Sequence, residues 1–123
     1  MLIDTKKAVG AALVALGASR NDFVVMDGDL SGSTQTFQFA DAYPDRFIDC
    51  GIAEMNMMGM AAGMASCGII PVVSTFSVFA SMKACEQIRT FICYPNLNVK
   101  IIGSYAGIDV GEAGVTHQAT EDM

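Results

Sequence analysis

Glu54 is the only charged residue between Asp49 and Lys83. It falls in the first turn of the most apolar helical pattern of the chain, where a carboxylate gains from the helix dipole and loses hydration. Such a residue is either a helix N-terminal acid or a buried carboxyl that holds or shares a proton with a heterocyclic nitrogen. Phe76 and Phe79 stand three apart after a β-branched run. They read either as core or as faces on which a flat ring can stack. Asp29 and Ser33 follow Asp27-Gly28, where Asp and Ser serve ordinary turns or reach a ligand. His117 is the single histidine. With any of Cys50, Cys67, Cys85 or Cys93 it could form a thiol–imidazole pair, and no spacing singles one out. There is no CxxC, so no zinc cage is readable. Phosphate cradles of the GxxxxGK[ST] and GxGxxG types are missing, as is the GxSxG elbow of hydrolases.

These residues need a scaffold, and 123 residues with 52% hydrophobic content suit one compact domain around one core. By size scaling about two-thirds of the unfolded surface can be buried, enough without disulfide staples. Net charge is −6, and the seven basic residues are spread from Lys6 to Lys100 without a cluster. Nucleic acid is therefore excluded as a partner class. Nothing at the N-terminus reads as a signal peptide, so the cysteines are expected as reduced thiols in a cytoplasmic protein. Met55–Met82 carries no charge, the length of a membrane span. Gly68, Pro71 and several hydroxyl residues interrupt it, and it reads as a buried helix, a turn and a buried strand.

Val9, Ala12, Leu13 and Leu16 after the cap Asp4 predict a helix over about 5–17. A strand at 23–26 ends in Asp27-Gly28-Asp29, and a loop continues through Ser31–Thr34 into a short helix carrying Phe37, Phe39 and Ala40. Phe47-Ile48 is a brief strand. Residues 52–67 are a helix of small and methionine residues that must be covered on most sides. Ile69–Val73 is a third strand, its Pro71 suggesting an end or edge position. Residues 76–94 hold a helical pattern, 99–102 a fourth strand, 103–114 a long loop, and a helix starts at Gln118. Alternating strands and helices predict an α/β fold with a mostly parallel sheet flanked by helices, whose loops at the C-terminal strand ends bind ligands.

Three segments, "DRFIDCGIAEMNMMGMAAGMASCGIIPVVSTFSVFA", "EQIRTFICYPNLNVKIIG" and "GEAGVTHQATED", together resemble the pyrimidine-binding domain of transketolases, above all the C-terminal section of transketolases split over two chains. The resemblance covers nearly the whole chain in order. It implies thiamine diphosphate chemistry: the glutamate at the position of Glu54 bonds N1′ of the aminopyrimidine and favours its imino tautomer, which deprotonates the thiazolium for ketol transfer. Phe76 and Phe79 match "TFxxF", whose aromatics pack around the aminopyrimidine. Asp29 matches a position near the cofactor, Ser33 one at the substrate phosphate, and His117 the "THQ" histidine that faces the sugar.

Three positions depart from the family pattern. Met82 stands where an aromatic is frequent, Tyr105 where many members have histidine, and Ala113 where they have the aspartate of "GEDG". The family's GDG motif with a later asparagine, which holds diphosphate and Mg²⁺, is not matched, because Leu30 follows Gly28-Asp29 and Asn56 lies within the GIAE helix. The resemblance thus implies a pyrophosphate-binding N-terminal section as partner, a hetero- or homo-oligomer with an interfacial site, and phosphorylated sugar substrates. The family's domain runs longer than Met123, so residues 1–123 are expected as one pyrimidine-binding domain incomplete at its C-terminus. The alternative is a noncatalytic module that keeps the fold for binding or assembly.

Overall fold

The computed structural model describes residues 4–121. Helix α1, Thr5–Ser19, starts where the Asp4 side chain accepts from the Lys6 backbone N–H, an N-cap bond. It runs two residues beyond Gly17. That glycine is buried, and a Cβ there would stand 2.5 Å from the Tyr43 ring. At Gly10 an added Cβ would meet the Gln35 carbonyl oxygen at 2.5 Å. Gly10→Ala should therefore destabilise the chain by about 1–3 kcal/mol despite alanine's better helix propensity, as read by urea unfolding. A stabilised variant would show that α1 does not pack this tightly.

Strand β1, Phe23–Asp27, leads into two short helices, α2 at Ser31–Thr34 and α3 at Phe37–Ala42. Ser31–Thr34 is thus a helical turn rather than the expected loop. Its start is held by the Asp27 side chain, which accepts from Leu30 N at 2.6 Å. Strand β2 is Phe47–Asp49, helix α4 Glu54–Ser66 and strand β3 Ile70–Phe76. A helical segment follows, with π-helical turns at Phe79–Lys83 and Ile88–Cys93 around an α-helical turn at Cys85–Gln87. The expected single helical pattern is therefore widened. Ala80, Ala84, Ile88 and Ile92 recur every four residues, longer than the 3.6 of an α-helix, and the wide turns keep all four against the core. Strand β4, Lys100–Ser104, is the last strand among the described residues.

The sheet is wholly parallel with order β2-β1-β3-β4. Pro71 consequently lies in a central strand, next to its N-terminal residue, so of the end or edge expectation the end holds and the edge is corrected. It precedes by one residue the pairing of β3 with β4, which begins at Val72 opposite Lys100, so its missing N–H costs no bond on that side. β3 also extends three residues past the predicted end. Its last residues, Ser74, Thr75 and Phe76, are polar or aromatic; Ser74 is paired by both β1 and β4, and Thr75 and Phe76 by β4, which continues alongside.

The one expected core is divided by the sheet into two. Phe23, Val25 and Val72 point to Leu13 of α1 and Phe39 of α3, whereas Met26 and Val73 point to Met57, Met58, Ala61 and Ala62 of α4. That alternation is the period of two of a strand with both faces covered. Helix α4 is not covered on most sides. Ile52, Met55, Asn56, Met60 and Gly63 form one open, uncharged stripe, and a Cβ at Gly59 or Gly63 would meet nothing within 4 Å.

After β4 the chain makes short 3-10 turns at Gly111–Ala113 and Val115–His117. The helix expected from Gln118 is absent through Glu121, since Gln118 is extended and Ala119 bridges to Gly107 with bonds of 2.8 and 2.9 Å. Its continuation at 122–123 lies outside the described residues. Among the described residues no helix is long and apolar enough to cross a membrane.

Candidate functional site

The strand order changes direction between β1 and β3: β1 leads outward to β2, and the chain then returns to add β3 on the other side. The C-terminal strand ends at such a switch point are the usual ligand position in open α/β sheets. Glu54 opens α4 at this edge. The β1 loop passes against it closely enough that a Cβ on Gly28 would stand 3.7 Å from Glu54 Cγ and 3.5 Å from the Gly51 carbonyl oxygen. Glu54 is 1% exposed and stands in the first turn of α4, so it is at once a helix N-terminal acid and a buried carboxyl. Among the described residues its hydrogen-bond partner is Lys83, whose Nζ lies 2.5 Å from Oε2.

The end of β3 supplies Phe76, and the next turn supplies Phe79. The two rings stack at 8° with centroids 5.8 Å apart. His117 meets both edge-on, 5.3 Å from Phe79 and 5.9 Å from Phe76. Tyr105, left-handed at φ 57°, packs on Phe76 at 4.7 Å. The Lys83 ammonium stands 5.7 Å from the Phe79 centroid. One continuous site therefore links Glu54, Lys83, Phe79, Phe76, His117 and Tyr105, drawn from four separate stretches of sequence. The His117 Nδ1 and Thr116 Oγ1 are 2.9 Å apart, which leaves Nε2 for a ligand. The Lys6 ammonium from α1 bonds the Tyr105 hydroxyl and lies 4.1 Å from its ring centroid.

Among the described residues neither Asp29 nor Ser33 hydrogen-bonds to this ring cluster. Asp29 is exposed at φ 63°, its backbone N–H donating to Asp49 Oδ1 at 3.1 Å. Ser33 lies in the α2 turn. Asp27 organises that turn: wholly buried, it accepts from Thr34 and Thr36 hydroxyls at 2.7 and 2.8 Å as well as from Leu30 N. Sequence reasoning singled out neither Asp27 nor Lys83. The signal for Lys83 was present, since it is the charge that closes the uncharged run opened by Glu54.

Burial, and then the carboxylates of Asp49 and Asp27, push the Cys50 thiol up, which disfavours a thiolate there. All four cysteines are free. Among the described residues no group of three or more His, Cys, Asp and Glu side chains is placed to hold a metal ion. The donor set instead fits an aminopyrimidine: a buried carboxylate for a ring nitrogen, next to aromatic faces for a flat heterocycle.

Residues 2–123 match the family model described as transketolase, pyrimidine binding domain. A Methanocaldococcus jannaschii protein bearing the name of a transketolase C-terminal section is 52% identical over 118 residues, which are 96% of this chain and 37% of that protein. A split-gene transketolase solved as an inactive β4 tetramer is 52% identical with TM-score 0.83, covering 98% of this chain and 38% of the other. The transketolase of Campylobacter jejuni superposes with TM-score 0.84 at 26% identity, over 96% of this chain and 19% of that one. This chain thus spans well under half the length of the relatives it matches.

Proposed function

Because the chain belongs to the family of transketolase pyrimidine-binding domains, we propose that it supplies the aminopyrimidine-binding half of an interfacial thiamine diphosphate site for ketol transfer. Residues 1–123 act as one pyrimidine-binding domain, and a pyrophosphate-binding N-terminal section holds the diphosphate and Mg²⁺. The observation that carries the reading is the buried Glu54 carboxylate beside the Phe76–Phe79–His117 rings at the sheet's switch point. When bound, the cofactor supplies the electron sink for cleaving and forming the C–C bond next to a ketose carbonyl.

The chain's own residues have distinct tasks. Glu54 holds or shares a proton at the aminopyrimidine N1′, and its burial shields that exchange from water. Phe79, with Phe76 behind it, offers the stacking face. His117, its Nδ1 engaged by Thr116, turns Nε2 towards the sugar. Ser33 in the α2 turn meets the substrate phosphate, and Asp29 contributes to the cofactor's surroundings. Tyr105, bonded to the Lys6 ammonium, replaces the family histidine and alters sugar preference together with Ala113.

The open α4 stripe supports an interfacial site. Interface cores are depleted of charge, and Gly59 and Gly63 let a partner backbone come close. The inactive β4 tetramer of the split-gene relative supports self-association without turnover when this section stands alone. The reduced-thiol reading of the sequence supports a cytoplasmic location for this section, and the family supports a part in carbohydrate metabolism.

Calorimetric titration of thiamine diphosphate and Mg²⁺ into the chain, alone and mixed with the pyrophosphate-binding section, tests this. Binding is expected only in the mixture. A folded chain in a detectable complex that binds in neither case would instead be a noncatalytic assembly module.

A further inference from the structure

Resting on that reading, we propose that Lys83 is a positioning residue that acts as a placeholder for the aminopyrimidine: its ammonium occupies the ligand's contacts on Glu54 and Phe79 and swings out as the ring enters. The two contacts it makes are the two a protic flat heterocycle would make. Nζ gives a charge-assisted hydrogen bond to Glu54 Oε2 at 2.5 Å and stands on the Phe79 ring at 5.7 Å from its centroid. A ring stacked on Phe79 with its nitrogen on Glu54 needs that same wedge of space, and both groups cannot fill it.

Two features of the chain suit a displaceable plug. Glu54 is 1% exposed, so without ligand its carboxylate requires a counter-charge to stay buried, and Lys83 provides it. Lys83 itself is 38% exposed on its side chain, so its flexible stem has a way back to water. The wide turn, closed by Ala84 N to the Phe79 carbonyl at 2.9 Å, keeps Phe79 and Lys83 on one face of the segment. The ligand then takes over a carboxylate that is already aimed and dry.

The test measures thiamine diphosphate affinity at fixed Mg²⁺ in the complex with the pyrophosphate-binding section, by calorimetry, with thermal shifts of the same samples. Lys83→Met should tighten binding about tenfold, because the competing occupant is gone. Its ligand-free melting temperature should fall, and the ligand-induced rise should grow. Lys83→Arg should weaken binding, since a forked guanidinium grips a carboxylate harder. In a Glu54→Gln background the gain from Lys83→Met should vanish. Lys83→Gln, which is neutral, polar and one atom shorter, serves if the methionine variant fails to fold. If Lys83→Met and Lys83→Gln weaken or do not change binding, or Lys83→Arg preserves it, while Glu54→Gln still weakens it, Lys83 is a permanent counter-ion or a bystander and the placeholder role is overturned. Unchanged binding in Glu54→Gln alone would overturn the site assignment as well.

Discussion

Glu54→Gln is expected to lower ketol transfer by the assembled enzyme by about 10²–10⁴-fold, the range lost when a positioned proton-exchanging group is removed. The substitution is nearly isosteric. Its amide oxygen can still accept from Lys83, and Lys83 is partly open to water, so the fold and the complex should survive. What disappears is the ability to hold or share a proton at the ring nitrogen. The buried setting makes the loss large, because no water reaches the 1%-exposed position to substitute for the carboxyl. Steady-state rates, paired with circular dichroism and complex formation, separate this loss from unfolding. Turnover equal to the parent enzyme would remove Glu54 from the chemistry.

Asp27→Ala carries the largest expected effect on stability, a loss of about 3 kcal/mol or more, because hydrogen bonds to a buried charged group are each worth about 1.5–3 kcal/mol. The carboxylate is wholly buried and accepts from Leu30 N, Thr34 Oγ1 and Thr36 Oγ1. Its removal leaves donors facing a cavity. Some repair is available, since Thr34 Oγ1 also lies 3.2 Å from the Leu30 carbonyl oxygen and 3.1 Å from Thr36 Oγ1. Leu30 N has no such second acceptor among the hydrogen bonds of the described residues. The α2 turn with Ser33 should loosen with it, so faster amide exchange over 30–36 should accompany the lower urea midpoint. A change under about 1 kcal/mol would mean that the turn holds itself without Asp27.

Much of this site was legible before any coordinates. The lone charge of Glu54 marked it as chemically special, and the "TFxxF" and "THQ" segments supplied rings and imidazole. The structure brings Phe76, Phe79 and His117 into one cluster. Asp29 and Ser33 make no hydrogen bond to it: Asp29 is held by Asp49, and Ser33 sits in the turn that Asp27 organises. The predicted helix at Gln118 failed because the segment instead bridges back to Gly107, a long-range pairing that local propensity does not encode. The π-helical turns were hinted at by apolar residues at four-residue spacing, a period that an ordinary helical template accepts without protest.

By itself the sequence determined the alternation of strands and helices, the apolar faces and the chemical types available, because periodicity and side-chain chemistry are local properties. Tertiary structure alone decided that β3 is central despite Pro71, which face of α4 stays open, and that Lys83 reaches Glu54. Those facts depend on strand order and on which distant segments meet across the sheet edge. Side-chain distances between residues far apart in the chain arise only once the sheet has closed and its loops have been brought together.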